Sequence, residues 1–240
     1  MSRTKDYQLE LCIDSLESAI GAEKHGADRV ELCSHLDQDG LTPSDDLLRS
    51  VCDAVTIGVY VMIRPRDIDF VYSASEINQM ITDIERVKDL GADGIVSGVL
   101  LPDGRIDKEA TAKLIEASRP LPFTFHRAFD YCVEPLSSCE ALDALGVERL
   151  LTSGQEDKAF EGLDLIKSLC NINSRIQVMA GSGVNAEVIP ALWEAGVRQF
   201  HFTSHLMDSG GVNRFDPEKV TRAHETLERL SLQEKSIPDS

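Results

Sequence analysis

The sequence predicts a single-domain (β/α)8 barrel, and three observations carry that prediction. Short β-favouring runs alternate with helical patterns along the whole chain, a glycine-led punctuation recurs between them, and no Pro/Gly/Ser-rich linker interrupts the alternation. A length of 240 residues with 42% apolar side chains suits one such barrel. Strict strand–helix alternation implies a parallel sheet, and eight strands of about five residues close into a barrel. A doubly wound open sheet is the alternative. Residues 1–230 are assigned to the barrel, and 231–240 to a polar, frayed tail.

The first unit sets the pattern. Leu9-Glu10-Leu11-Cys12 is repeated almost unchanged as Val30-Glu31-Leu32-Cys33. Between the two runs, Ser15 is placed to cap a helix bearing Leu16, Ala19 and Ile20, and Gly26 to end it in the left-handed conformation. The punctuation returns at Gly91-Ala92-Asp93, Gly146-Val147-Glu148 and Gly196-Val197-Arg198, each followed by an apolar run at Ile95-Val96, Leu150-Leu151 or Phe200 to Phe202. Gly58 to Ile63, Pro122 to His126 and Ile176 to Ala180 supply the remaining strands. The clearest helix follows Ser75, with Ile77, Met80, Ile81, Ile84, Val87 and Leu90 forming one apolar stripe that ends before Gly91.

Composition narrows function. A formal charge of −17 repels phosphate backbones and anionic membranes, so nucleic acid is not an expected partner. The first ten residues lack an apolar leader core, and no run approaches the ~18 apolar residues of a membrane span, so a soluble, cytoplasmic protein is expected. Six cysteines with no C-x-x-C pair indicate neither a disulfide framework nor a zinc ribbon. No Ser/His/Asp triad, Walker loop, dinucleotide fingerprint or His-Glu-x-x-His helix is present.

The barrel geometry makes the Glu-x-Cys repeat informative. Helices cover the outer face of each strand, so an outward carboxylate would sit in a dry layer, and Glu10 and Glu31 are expected to face inward. Side chains two apart share a face, which sends Cys12 and Cys33 inward as well, one step nearer the carboxyl rim. Adjacent strands lie about 4.8 Å apart, so the two sulfurs can bracket a soft ion, and two thiolates suit Cu(I). The competing reading is that both thiols simply fill core. Cys52 and Cys170 fall on apolar helix faces and read as core, whereas Cys132 and Cys139 are assigned to solvent-facing helix or loop, with their roles open.

Strand ends supply the remaining candidates. Arg64 and Arg66 follow the third strand, and His126-Arg127 ends the fifth, placing positive charge where an anionic ligand would be attracted. Arg64 is equally a candidate clamp for Glu10 or Glu31. His201, with Thr203 and Ser204 behind it, adds an imidazole at the last strand. Thr152-Ser153-Gly154 and Gly181-Ser182-Gly183, the latter leading to a helix capped by Asn185, read either as anion-binding turns or as tight turns only. His25 and His224 are expected in solvent, and His35 and His205 in loops.

Several blocks, taken in order, resemble the copper homeostasis protein CutC family: Glu10-Leu11-Cys12, Gly26-Ala27-Asp28-Arg29-Val30-Glu31-Leu32-Cys33, Gly40-Leu41-Thr42-Pro43-Ser44, Val61-Met62-Ile63-Arg64-Pro65-Arg66, Gly91-Ala92-Asp93-Gly94, Pro102-Asp103-Gly104, Phe125-His126-Arg127-Ala128-Phe129-Asp130 and Leu151-Thr152-Ser153-Gly154-Gln155. The resemblance runs from about Gln8 to Ser204. It implies a cytoplasmic barrel, a role in copper homeostasis, Cu(I) on the cysteines matching Cys12 and Cys33, and a homo-oligomer, dimer or tetramer. The chain departs from the family at Ala180-Gly181-Ser182-Gly183, where the family has a run of glycines.

Two functions follow. In the first, the protein is a cytosolic Cu(I) binder with Cys12 and Cys33 as ligands. In the second, it is a barrel enzyme for a small anionic metabolite, phosphorylated or not, with Arg64 and Arg127 orienting the anion, Glu31 or His126 as general acid or base, and Glu10, Thr152, Ser153, Gly154, Gly181, Gly183 and His201 lining the site. A purely structural role is the third reading, disfavoured by the expense of inward charges.

Overall fold

The computed structural model describes residues 5–207 and 213–236. Eight parallel strands, β1 (Gln8–Ile13), β2 (Arg29–Leu32), β3 (Gly58–Met62), β4 (Gly94–Ser97), β5 (Phe123–Phe125), β6 (Arg149–Thr152), β7 (Gln177–Ala180) and β8 (Gln199–Thr203), form a closed barrel. Closure between β1 and β8, with Glu10 opposite His201, rules out the open sheet. Helices α1 (Leu16–Lys24), α2 (Asp45–Ala54), α3 (Ala74–Asp89), α4 (Lys108–Ser118), α5 (Pro135–Leu145), α6 (Leu163–Cys170), α7 (Ile189–Glu194) and α8 (Pro217–Lys235) follow the strands in turn. A short antiparallel pair, β9 (His205–Met207) with β10 (Asn213–Phe215), precedes α8. The His205 backbone therefore lies in a strand and not a loop, and its side chain falls outside the described residues.

Local chemistry explains the helix starts. Ser15 and Ser44 accept a main-chain N–H from the first turns of α1 and α2. The long helix α3 begins two residues earlier than its apolar stripe predicts, because Ser73 and Glu76 form a reciprocal capping box. α8 runs to Lys235, past the point where polar composition predicts fraying. Its polar groups are partnered: Ser231 donates to Asp6 at 2.6 Å, Lys235 lies 3.2 Å from the same carboxylate, and Arg198 pairs with Glu234 at 2.8 Å.

The period of two along each strand divides the apolar interior. Leu9, Leu11, Ile13, Val30 and Leu32 belong to the large cluster beneath the helices. A separate small cluster holds Cys12, Cys33, Tyr60, Met62 and Val96, the side chains that point into the lumen. Charged and polar lumen residues Glu10, Arg29, Glu31, Thr124, Arg149, Gln199 and His201 are buried with them. Gly94 lacks a side chain for a direct reason: a Cβ there would lie 2.2 Å from the Tyr60 ring, which fills the lumen beside it.

Candidate functional site

At the carboxyl half of the lumen the sulfurs of Cys12 and Cys33 lie 3.5 Å apart. The β1–β2 register sets Cys12 opposite Glu31 and Glu10 opposite Arg29, so the repeated Glu-x-Cys strands are offset along the axis by one inward residue. A cluster results in which donor atoms of Cys12, Glu31 and His201 all lie within 4.8 Å of one another, with Cys33 in contact behind Cys12.

A buried relay orients this cluster. Arg29 pairs with Glu10, and Glu10 Oε1 lies 2.7 Å from His201 Nδ1. Burial raises the Glu10 pKa, but the Arg29 guanidinium and the His201 hydrogen bond more than offset it, and the carboxyl is held down at about 2. An ionised Glu10 requires Nδ1 to be the donor, which turns Nε2 toward Glu31, 3.8 Å away. Metal-binding imidazoles are commonly held in this way by a carboxylate on the other ring nitrogen. Burial opposes protonation of His201, yet Glu31 and Glu10 outweigh it and raise its pKa. Burial likewise raises that of Glu31, against the pull of His201. The contact with Cys33, burial and Glu31 together hold the Cys12 thiol well above its ordinary range.

The donors fit a metal ion. Glu31 Oε2 lies 3.8 Å from His201 Nε2 and Oε1 is buried with no hydrogen-bond partner, so the carboxylate keeps an unused acceptor beside the thiol and the imidazole. Metal–thiolate bonds of about 2.3 Å place two sulfurs up to about 4.6 Å apart across one ion, so Cys12 and Cys33 would need to separate by about 1 Å. Thiols ligate metal as thiolates, so a metal bound here would displace the Cys12 proton.

Above the cluster an open cavity of about 620 Å3 reaches the carboxyl-terminal mouth. Cys12, Glu31 and His201 form part of its wall, as do Met62, Arg64, Phe70, His126, Arg127, Gly183 and Arg222. His126 is buried and accepts the Ala128 N–H through Nδ1 at 3.2 Å, so a neutral ring carries its proton on Nε2, which has no partner. Burial and then the Arg64 charge push its pKa down to about 3, which makes His126 a neutral donor and a weak base near neutral pH.

Several sequence expectations change here. Arg64 does not clamp Glu10 or Glu31. It lines the same cavity beyond the end of β3, donating to the carbonyls of Gln38, Gly40 and Asp67 at 2.7, 3.1 and 3.2 Å, with Nε unpartnered, and the clamp is Arg29. The Thr152-Ser153-Gly154 loop does not face the cavity as an anion cradle, because an internal carboxylate already occupies it. Asp130 accepts from Thr152 Oγ1 and from the Ser153 N–H at 3.0 Å and Oγ at 2.9 Å, and pairs with Arg127 at 2.8 Å. Gly154 is a tight-turn glycine, with φ +73° and a notional Cβ 2.3 Å from the Gly162 carbonyl oxygen. Gly181 packs against Leu151, so of that turn's glycines only Gly183 reaches the cavity. Asn185 caps the turn before α7 by accepting from Glu187 and Val188, four residues ahead of the helix proper.

Cys132 and Cys139 are buried in the main core and not solvent-facing, because both point inward from the β5–α5 segment. Cys52 and Cys170 are half-buried and pack against that core, as read from their helices. His25 and His224, expected in solvent, are half-buried between α1 and α8, where His25 meets Thr221 at 3.0 Å and His224 lies against Gly26. Sequence reasoning missed Arg29 and Asp130. Arg29 was legible, since it shares the inward parity of Glu31, while Asp130 acts through a turn that no period describes.

Fold and site together define a single-domain (β/α)8-barrel protein carrying a thiol, imidazole and carboxylate cluster beneath an open carboxyl-terminal cavity. The family model for the CutC family matches residues 7–206, and the chain belongs to that family. It is 48% identical over 208 residues to a human copper homeostasis protein cutC homolog, covering 86% of this chain and 76% of the relative. A family protein CutC from Pasteurella multocida is 43% identical, with 90% and 93% covered. Among solved structures, a putative copper homeostasis protein CutC from Streptococcus agalactiae superposes with a TM-score of 0.77 at 36% identity, over 82% of this chain and 98% of that one. A thiamine phosphate pyrophosphorylase from Pyrococcus furiosus, TM-score 0.62 and 14% identity, shares the fold. No helix among the described residues is long and apolar enough to cross a membrane.

Proposed function

We propose that this protein takes part in copper homeostasis by binding Cu(I) at the Cys12–Cys33 pair. The observation that carries the reading is the 3.5 Å sulfur–sulfur contact, since two adjacent thiols form the soft donor pair that Cu(I) prefers. His201 Nε2 is the third ligand, aligned by Glu10, and Glu31 balances charge and accepts the displaced proton. The names of the relatives agree with this role. Function in the cytoplasm, as a homo-oligomer, belongs to the same proposal.

The test is Cu(I) uptake by the reduced protein against a competing chromogenic chelator. Near-stoichiometric uptake by the wild type and its loss in the Cys12→Ser, Cys33→Ser variant are expected. Unchanged affinity in that variant overturns the reading. Zinc is the informative competitor, because Cys12, Glu31 and His201 also form a donor set that zinc accepts.

A second reading has its own observation. Arg64 Nε and His126 Nε2 are buried, unpartnered N–H donors on residues that line the same cavity, with Arg127 and Arg222 nearer its mouth. These donors suit a small anionic metabolite, with Glu31 as the acid–base group. Mass spectrometry of the freshly purified protein tests it: a co-purifying anion lost in His126→Phe supports it, and metal as the sole bound species removes it.

A further inference from the structure

The opposite end of the barrel holds a second cavity of about 560 Å3, lined by Lys5, Asp6, Arg29, Arg149, Gln177 and Arg198 among others. In a chain of charge −17 this is a local excess of cations. Most are accounted for: Lys5 pairs with Asp28 at 2.6 Å, Arg29 with Glu10, Arg198 with Glu234 at 2.8 Å, and Asp6 with Lys235 at 3.2 Å.

Arg149 is the exception. It begins β6, faces the lumen and is 7% exposed, yet it forms no ion pair among the described residues. Its Nε donates to Thr124 Oγ1 at 3.1 Å, while Nη2 is buried without any partner. The Tyr60 ring, 4.5 Å from the guanidinium carbon, supplies a π face but no acceptor for that edge N–H. A buried guanidinium with an unsatisfied donor costs several kcal/mol unless something anionic completes it. The amino-terminal face of such barrels normally serves stability alone, and a stability role explains Arg29 but not Arg149.

We propose that the amino-terminal mouth of the barrel binds a small oxyanion of the phosphate class, with Arg149 Nη2 as principal donor and Lys5 at the rim. The site is separate from the thiol cluster and does not depend on the copper reading. Inorganic phosphate and a small phosphomonoester such as glycerol 3-phosphate share the recognised group, and the cavity has room for either.

The test is the melting temperature of the whole protein, titrated with each probe against chloride at matched ionic strength, with affinity then measured by calorimetry. Saturable stabilisation by phosphate is expected. Arg149→Gln is expected to weaken it about ten- to hundredfold, the loss of one charge-assisted hydrogen bond. Lys5→Glu, which changes only the rim and leaves the core intact, should also weaken it if Arg149→Gln does not fold. Lys113→Gln, on the exposed face of α4 outside both cavities, should not. Tighter binding of the ester assigns the site to a phosphorylated metabolite, and equal binding assigns it to the free ion. A phosphate effect no larger than that of chloride, or one that survives both Arg149→Gln and Lys5→Glu, overturns the proposal.

Discussion

His201 presents Nδ1 to Glu10 at 2.7 Å, and Glu10 is itself held by Arg29, so three residues from β8, β1 and β2 fix which imidazole nitrogen faces the thiols. The pair also links the two halves of the lumen, because Arg29 lines the amino-terminal cavity while His201 lines the carboxyl-terminal one.

Removing one member of the ion pair should therefore be severe. Arg29→Met leaves Glu10 buried without its counter-charge, and a loss of about 3–5 kcal/mol in unfolding free energy is expected by urea titration. Adding Glu10→Leu should recover much of it, since the double variant buries neither charge. Failure to recover would show that shape, and not charge, governs this layer.

The two cysteines should not be equivalent. Cys12 lies within 4.8 Å of Glu31 and His201 donors, whereas Cys33 joins through its contact with Cys12. Cys12→Ser should weaken both zinc and Cu(I), and Cys33→Ser chiefly Cu(I). Parallel competition titrations with the two metals measure this, and equal losses for both metals in Cys33→Ser would contradict it.

His126 should make the fold acid-sensitive. Its pKa falls from an ordinary 6.5 to about 3 on folding, because burial and the facing Arg64 charge disfavour the imidazolium. The unfolded chain thus binds the extra proton between those values, and the contribution present above pH 6.5 is lost as pH falls toward 3. At pH 4.5 the loss is roughly 2–3 kcal/mol. His126→Gln should flatten this slope in denaturation curves at pH 7 and 4.5, and an unchanged slope would count against a buried neutral imidazole.

Asp130 organises the loop after β6 through five donors on Arg127, Thr152, Ser153 and Gln155. Asp130→Ala strands these groups, each worth about 1.5–3 kcal/mol when bonded to a charge, although not additively. A loss of several kcal/mol is expected, with amide exchange accelerated at residues 152–156 ahead of the rest of the barrel. Uniform acceleration throughout would refute a local role.

Gly94→Ala should cost about 1–3 kcal/mol by overpacking, because the added methyl meets the Tyr60 ring. Tyr60 lies against Arg29 and Arg149, so the same substitution should perturb phosphate binding at the amino-terminal mouth. Chemical-shift changes confined to the vicinity of residue 94 would show that the ring does not move.

Much of the lumen was legible because strand periodicity is strict. Once Glu10 is turned inward, the parity of two sends Cys12 inward too, and the repeat does the same for Glu31 and Cys33. The same rule applied to Arg29 would have revealed the counter-charge and spared Arg64 that assignment. The loop residues were not legible in this way. Thr152 and Ser153 look like an anion cradle in sequence, and only the return of the β5–α5 segment shows that Asp130 occupies it.

The chain by itself determined the barrel, its strand order and which side chains point inward, because the strand–helix alternation is local and repeats eight times, with glycine punctuation before every second strand. Tertiary structure alone decided the partners: Glu10 with Arg29 and His201, Cys12 with Cys33, and Arg149 with Thr124 and the Tyr60 ring but no carboxylate among the described residues. Barrel stagger and closure set those distances, and both depend on all the strands at once.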